Sequence, residues 1–230
     1  MSQISNNLKS IRERIERAAN KTGRDPDSIR LVAVSKRVSA SSIAEAISCG
    51  QKHFGENYLQ EALEKVKHFG PEVIWHFIGH LQSNKAATVA DEFSIVETLD
   101  RLKTAKVMDR RMREQGRVLP VLVQVNIGRE PQKSGVLPED AAELLMQMKS
   151  LAGLLVKGIM VMPPFSPDPE TVRPYFREAR ELAETLQGKD LLPEDDKLEI
   201  SMGMSGDFEV AVEEGATLVR VGTALFGQRS

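Results

Sequence analysis

The chain has 230 residues, 41% hydrophobic and 28% charged, with a formal net charge of −2. That length supports one sizeable core, the charge balance excludes a global basic footprint for nucleic acid, and no apolar stretch is long enough to cross a membrane. The single cysteine, Cys49, excludes an internal disulfide framework, and residues 1–6 carry no signal-peptide pattern, so a cytoplasmic protein is expected.

Residues 5–22, with Ile4 just ahead of them, set Leu8, Ile11, Ile15 and Ala18-Ala19 at helical spacing with charges between them, which predicts an amphipathic N-terminal helix. The apolar run Leu31-Val32-Ala33-Val34-Ser35 then closes on Lys36. Burying an ammonium without a partner is costly. A lysine at the mouth of such a strand therefore either snorkels to water or is kept for chemistry, with desolvation freeing its amine as a nucleophile. From here strands and helices alternate. Strand-like runs fall near 30–35, 53–57, 75–79, 93–98, 118–126, 155–161, 197–202 and 217–222. Helical patterns lie near 40–49, 57–68, 82–90, 100–115, 138–149, 169–186 and 206–213. Such alternation implies right-handed βαβ units and a parallel sheet.

Eight βα units in a chain somewhat shorter than the typical ~250 residues predict one closed (β/α)8 barrel over residues 1–230, with the N-terminal helix as an addition. The alternative is a doubly wound open sheet. It would show a glycine-rich turn after its first strand, where this chain has Lys36-Arg37-Val38-Ser39. The stretch 162–169, Met-Pro-Pro-Phe-Ser-Pro-Asp-Pro, reads as a stiff loop that overhangs the barrel mouth.

Barrel active sites lie at the C-terminal strand ends, with phosphate commonly held after the last two strands. Those ends carry Lys36, Glu56-Asn57, Gly79-His80, Gln124-Val125-Asn126, Ser201 through Asp207, and Arg220 through Thr223. Strand parity puts Val32, Val34 and Lys36 on one face, and Leu218, Arg220 and Gly222 on another. Arg220, permanently charged and flanked by valines, needs an acceptor: a structural salt-bridge partner on a neighbouring strand, or a ligand. Gly203, Gly206 and Gly222 allow close backbone approach to a ligand. Ser205 is placed to cap a helix beginning at Gly206, whose N-terminus would favour an anion. Asp207 and Glu209 could instead satisfy that helix dipole. His53, His68, His76 and His80 form no metal-ligand motif. His76 reads as a hydrogen-bonded core residue and His80 as a weaker site candidate. No Gly-x-Ser-x-Gly elbow of a serine hydrolase is present.

Several long motifs together resemble the pyridoxal phosphate homeostasis proteins. They are Leu-Val-Ala-Val-Ser-Lys36, His-Phe-Gly-Glu-Asn57-Tyr-Leu-Gln-Glu, Trp-His-Phe-Ile-Gly-His80-Leu-Gln-Ser-Asn-Lys, Ile-Ser201-Met-Gly-Met-Ser205-Gly-Asp-Phe and Val-Arg220-Val-Gly-Thr223-Ala-Leu-Phe-Gly. The resemblance spans nearly the whole chain. It implies a single-domain, alanine-racemase-like barrel of fold type III that binds pyridoxal 5′-phosphate (PLP). By carry-over, Lys36 forms the Schiff base. Ser201, Ser205, Gly222 and Thr223 hold the phosphate, and Arg220 faces the pyridine nitrogen. Asn57 and His80 line the pocket near the ring, and Met202 contributes backbone contacts. Gly206 departs from the family, where a small residue such as alanine is expected.

The implied role is intracellular PLP homeostasis and amino- and keto-acid balance, as a carrier or regulator without substantial turnover. The alternative is a small PLP-dependent amino-acid racemase or lyase. The expected partners are PLP, amino acids and apo-enzymes that receive PLP, with no nucleic acid, no membrane and no metal, and the expected state is a monomer. Two features favour the carrier. Arginine at the pyridine nitrogen leaves the ring a weak electron sink. The chain, ending just past its eighth strand, is expected to lack the second domain that brings racemases another acid/base tyrosine.

Overall fold

The computed structural model describes residues 2–194 and 197–228. The first residue and the last two, which bound the expected 1–230 domain, lie outside the described residues. Eight parallel strands close on themselves in sequence order: β1 (Arg30–Val34), β2 (His53–Glu56), β3 (Ile74–Phe77), β4 (Ile95–Leu99), β5 (Leu119–Val125), β6 (Leu154–Val161), β7 (Glu199–Ser201) and β8 (Leu218–Val221). Each strand lies within two residues of its expected span, and the closed barrel displaces the open-sheet alternative.

The helices are α1 (Gln3–Lys21), α2 (Ala40–Ser48), α3 (Leu59–Phe69), α4 (Ala86–Glu92), α5 (Leu102–Glu114), α6 (Ala141–Met148), α7 (Arg173–Gln187), α8 (Phe208–Glu213) and α9 (Thr223–Phe226). The Ser2 hydroxyl starts α1 by accepting the Ser5 N–H at 3.2 Å. Its stripe of Ile4, Leu8, Ile11, Ile15, Ala18 and Ala19 is buried against α2, α8 and α9, so α1 covers the seam where β8 meets β1.

Most of the apolar core lies between the strands and the helices. It takes the outward residues, such as Leu31 and Ala33 of β1, Trp75 and Phe77 of β3, and Val219 and Val221 of β8. Inward residues alternate with them. Val32, Leu122, Met160 and Leu218 form a small separate apolar cluster inside the barrel. Polar residues share the interior with them: His76, Glu97, Ser201 and Arg220 are all buried. A bulge at Lys157 preserves this parity. Val121 pairs with Val156 but Leu122 pairs with Gly158. Gly158 has φ +155, and a Cβ there would collide with the Glu199 carbonyl.

From α3 to α8 each helix starts two to four residues later than expected, and two of these starts show the cause. Asp168 caps a 3-10 turn at Pro169–Val172, and α7 follows it. The Asp207 carboxylate closes a tight turn by accepting the Met204 N–H at 2.6 Å, so α8 begins at Phe208.

Candidate functional site

Ring closure brings the first strand beside the last. Val32 of β1 pairs with Arg220 of β8, and Ala33 with Val221. Lys36 follows two residues after β1 on the face of Val32 and Val34, which places it above Arg220. The half-buried Lys36 and buried Arg220 share the wall of a cavity of about 240 Å³ at the C-terminal end of the barrel. Val34, Ser205, Gly206, Gly222 and Thr223 complete much of that wall. Five of the expected site residues, Lys36, Ser205, Arg220, Gly222 and Thr223, thus meet at one place.

Arg220 is held from inside the barrel. Its Nη1 donates to Ser201 Oγ at 2.6 Å, and its Nη2 donates to the Val161 carbonyl at 2.9 Å. Ser201 in turn donates to Glu97 Oε2 at 2.5 Å. Glu97 Oε1 pairs with His76 Nδ1 at 2.6 Å, and His76 Nε2 meets His53 Nδ1 at 2.9 Å. The acceptor that the Arg220 sequence demanded is therefore a serine and a carbonyl, with Glu97 as the anion behind the serine. Burial pushes the Glu97 carboxyl up, but His76, Arg220 and Ser201 outweigh it and hold it below the usual range. Burial lowers the Arg220 guanidinium, and Glu97 and Asp207 oppose that.

Ser201 itself is fully buried, with its hydroxyl taken up between Arg220 and Glu97. The structure places it beneath Arg220, apart from the other three residues assigned to the phosphate, Ser205, Gly222 and Thr223. Met202 packs in the core, and its N–H is spent on the Leu218 carbonyl at 3.0 Å.

Ser205 does not cap a helix at Gly206, because the turn closed by Asp207 delays that helix. Its hydroxyl instead accepts the N–H groups of Gly222 and Ala224, each at 3.3 Å, at the start of α9. This ties the loop after β7 to the loop after β8. With two N–H groups entering the oxygen, the hydroxyl proton of Ser205 remains to be donated. Around Gly206 an added Cβ would meet nothing within 4 Å, so an alanine there would also fit. Burial raises the Asp207 carboxyl, opposed by its bond from Met204.

Asn57 and His80 stand further round the barrel mouth. Asn57 Oδ1 is buried without a hydrogen-bond partner. Gly79 makes room for it, since a Cβ there would collide with the Asn57 backbone carbonyl. His80 is exposed, bonds Ser134 Oγ at 2.8 Å, and lines a second cavity of about 300 Å³ with Thr98, Gln124 and Lys133. Met204 and Phe165 line both cavities and make them neighbours. Phe165, 91% exposed, sits on the proline-rich loop expected at the mouth. Sequence reasoning missed Phe165, Met204 and Glu97 as individual residues. Glu97 alone carried a signal, being a carboxylate inside an apolar strand.

A larger cavity of about 590 Å³ opens at the opposite end, by the N-terminal ends of β1 and β2, between Arg12, Asp25, Arg30 and His53. Barrel chemistry belongs at the other end, and none of the expected site residues lines this one. Among the described residues, no group of three or more His, Cys, Asp or Glu side chains could hold a metal ion, and no helix is long and apolar enough to cross a membrane.

Comparison with known proteins gives the family and the fold. The family model for the alanine racemase N-terminal domain matches residues 6–230. The pyridoxal phosphate homeostasis protein of Escherichia coli K12 is 43% identical, covering 100% of this chain and 98% of that protein. The protein of the same name from Aquifex aeolicus is 42% identical over 96% of each chain. The structure of PipY of Synechococcus elongatus with PLP bound superposes with a TM-score of 0.84 at 37% identity, covering 97% of this chain and 100% of that one. An alanine racemase of Clostridium difficile shares the fold at a TM-score of 0.76 and 14% identity, with 60% of its length covered.

Proposed function

The chain belongs to the alanine racemase N-terminal domain family, among the pyridoxal phosphate homeostasis proteins, and from that premise we propose that it binds PLP through Lys36 and acts in PLP homeostasis as a carrier or regulator. The observation that carries this reading is the meeting of Lys36, Arg220, Ser205, Gly222 and Thr223 around one cavity. When bound, PLP supplies an aldehyde that condenses with a primary amine with loss of one water, and a phosphate that anchors it.

The residues present fit such a group. Lys36 is the amine in the wall. Ser205 offers its remaining proton, and Thr223 a hydroxyl beside the side-chain-free Gly222, to an anion. Arg220 lies beneath as the group toward the pyridine nitrogen. One N–H of each Nη is given to Ser201 and to the Val161 carbonyl, which fixes the plane of the guanidinium and leaves its other donors for a ligand, and a guanidinium gives up no proton near neutrality. It orients and adds positive potential without moving a proton, which favours holding PLP over turning over amino acids. Ser201 positions Arg220 and leaves the phosphate to Ser205 and Thr223. We further place the protein in the cytoplasm as a single-domain monomer that exchanges PLP with amino acids and apo-enzymes.

Borohydride reduction of the PLP-loaded protein, followed by peptide mass mapping, tests the assignment. The pyridoxyl mass is expected on Lys36 and is lost in Lys36→Ala; label on Lys85 or Lys133 would overturn it. In heavy water, the loaded protein is expected to put no deuterium on Cα of alanine or serine at enzymatic rates of ~1 s⁻¹ or more. Incorporation at such rates that vanishes in Lys36→Ala would establish the racemase alternative.

A further inference from the structure

Both chain neighbours of Lys36 are fastened from outside the barrel. Ser35 is fully buried. Its N–H donates to the Gly55 carbonyl at 3.0 Å, and its hydroxyl donates to Glu56 Oε1 at 2.7 Å. Its carbonyl accepts from Val38 N–H at 3.0 Å and from Lys65 Nζ at 2.7 Å. On the other side of Lys36, Arg37 has φ +57, a left-handed conformation that an arginine adopts only under constraint. The Arg37 N–H donates to Glu61 Oε1 at 2.5 Å. Lys65 joins the two halves, donating to Glu56 Oε1 at 2.8 Å and to Glu61 Oε1 at 2.6 Å.

Packing alone accounts poorly for this cluster. Lys65 is 9% exposed and Glu56 is completely buried, and Glu56 Oε2 is left without a hydrogen-bond partner. A buried ion pair is weak evidence for stability, since apolar residues of similar volume often serve as well or better. What the charges do here that apolar groups could not is reach backbone polar atoms. One ammonium and one carboxylate grip residues 35 and 37, leaving residue 36 between two fixed points. None of Glu56, Glu61 and Lys65 lines the cavity that Lys36 enters. Lys65 and Glu61 instead border a separate outer cleft of about 370 Å³ beside Val38.

We propose that Lys65, acting through Glu56 and Glu61, is a positioning residue that fixes the turn carrying Lys36 and so aims its amine into the cavity. This rests on the reading of Lys36 as the residue that bonds PLP. The same turn then has an external handle on α3, outside the cavity whose wall Lys36 shares.

The test uses the full chain stripped of PLP, in wild-type, Lys65→Met and Glu61→Ala forms, each checked for fold by circular dichroism. Two quantities are measured. One is the rate of covalent capture of PLP, from borohydride-trapped pyridoxyl mass on residue 36 against time. The other is the affinity for 4′-deoxypyridoxine 5′-phosphate, which has the ring and phosphate but no aldehyde. Lys65→Met is expected to slow capture by ~10- to 100-fold, the range that a misplaced reacting group incurs, while the affinity for the deoxy analogue stays within about twofold of wild type. Glu61→Ala, on the more exposed side of the cluster, is expected to slow capture less, and it decides the matter should Lys65→Met not fold. Unchanged capture in the folded variants, or an equal loss of capture and of analogue affinity, would overturn the proposal. Trapping of wild-type PLP on a lysine other than Lys36 would instead overturn the functional reading beneath it.

Discussion

Replacing Glu97 by glutamine keeps the shape of the barrel interior and removes its central negative charge. Glu97 is fully buried between His76 and Ser201, and Ser201 bonds the equally enclosed Arg220. The guanidinium stays charged, so the variant leaves a buried cation short of its counter-ion. Breaking a buried pair in this way costs ~3–5 kcal/mol. Asp207 also acts on Arg220, so the lower end, about 3 kcal/mol, is expected. Each kcal/mol shifts Tm by roughly 2–4 °C in a chain of this size, which gives a fall of ~6–12 °C. The assay is thermal unfolding by far-ultraviolet circular dichroism with PLP removed, because a ligand that binds only the folded state would mask the loss. The double variant Glu97→Gln, Arg220→Met removes both charges and is expected to recover much of it, giving a coupling well above the ~0.5 kcal/mol of independent sites. A fall under ~2 °C, or a double variant that loses the sum of the two single losses, would refute the view of Glu97 as the counter-ion of Arg220.

Acid sensitivity should trace in part to His53. Burial, with the neighbouring His76 and Arg30, pushes its pKa down to about 4 from the ordinary 6.5, against the opposing pull of Glu97. Above pH 6.5 neither folded nor unfolded chain holds the extra proton. Below it the unfolded chain takes the proton first, so stability is lost progressively as pH falls toward 4. Urea unfolding of wild type and His53→Gln between pH 7.5 and 4.5 checks this, and the variant should show the shallower decline. At the cofactor end, a Ser205→Ala, Thr223→Ala double variant is expected to keep its fold and lose PLP on dialysis, at roughly 1.5–3 kcal/mol for each lost bond to a charged group. Undiminished retention would put the phosphate elsewhere.

The amino-acid sequence determined the barrel and the strand that leads to Lys36, because both are written in local patterns. Alternating βα units of short length leave few topologies, and a period of two assigns each strand residue a face. Lys36 was legible because a lysine closing an apolar run is anomalous by itself. Arg220 was legible as a charge needing an acceptor. The identity of that acceptor was not: Ser201 and Glu97 are 104 residues apart in sequence, and only closure of the ring sets β4, β7 and β8 facing one another across one interior. Ser205 shows the same limit at short range. Its spacing ahead of a helical pattern suggested a cap, but the Asp207 carboxylate took the Met204 N–H, moved the helix start, and left the serine to bind α9 instead. The grip of Lys65 on Ser35 likewise depends on a helix folding back over its strand. Pattern fixes which face a side chain leaves from; the partner it meets is a matter of which distant strand or helix arrives there, and that is decided only when the chain closes.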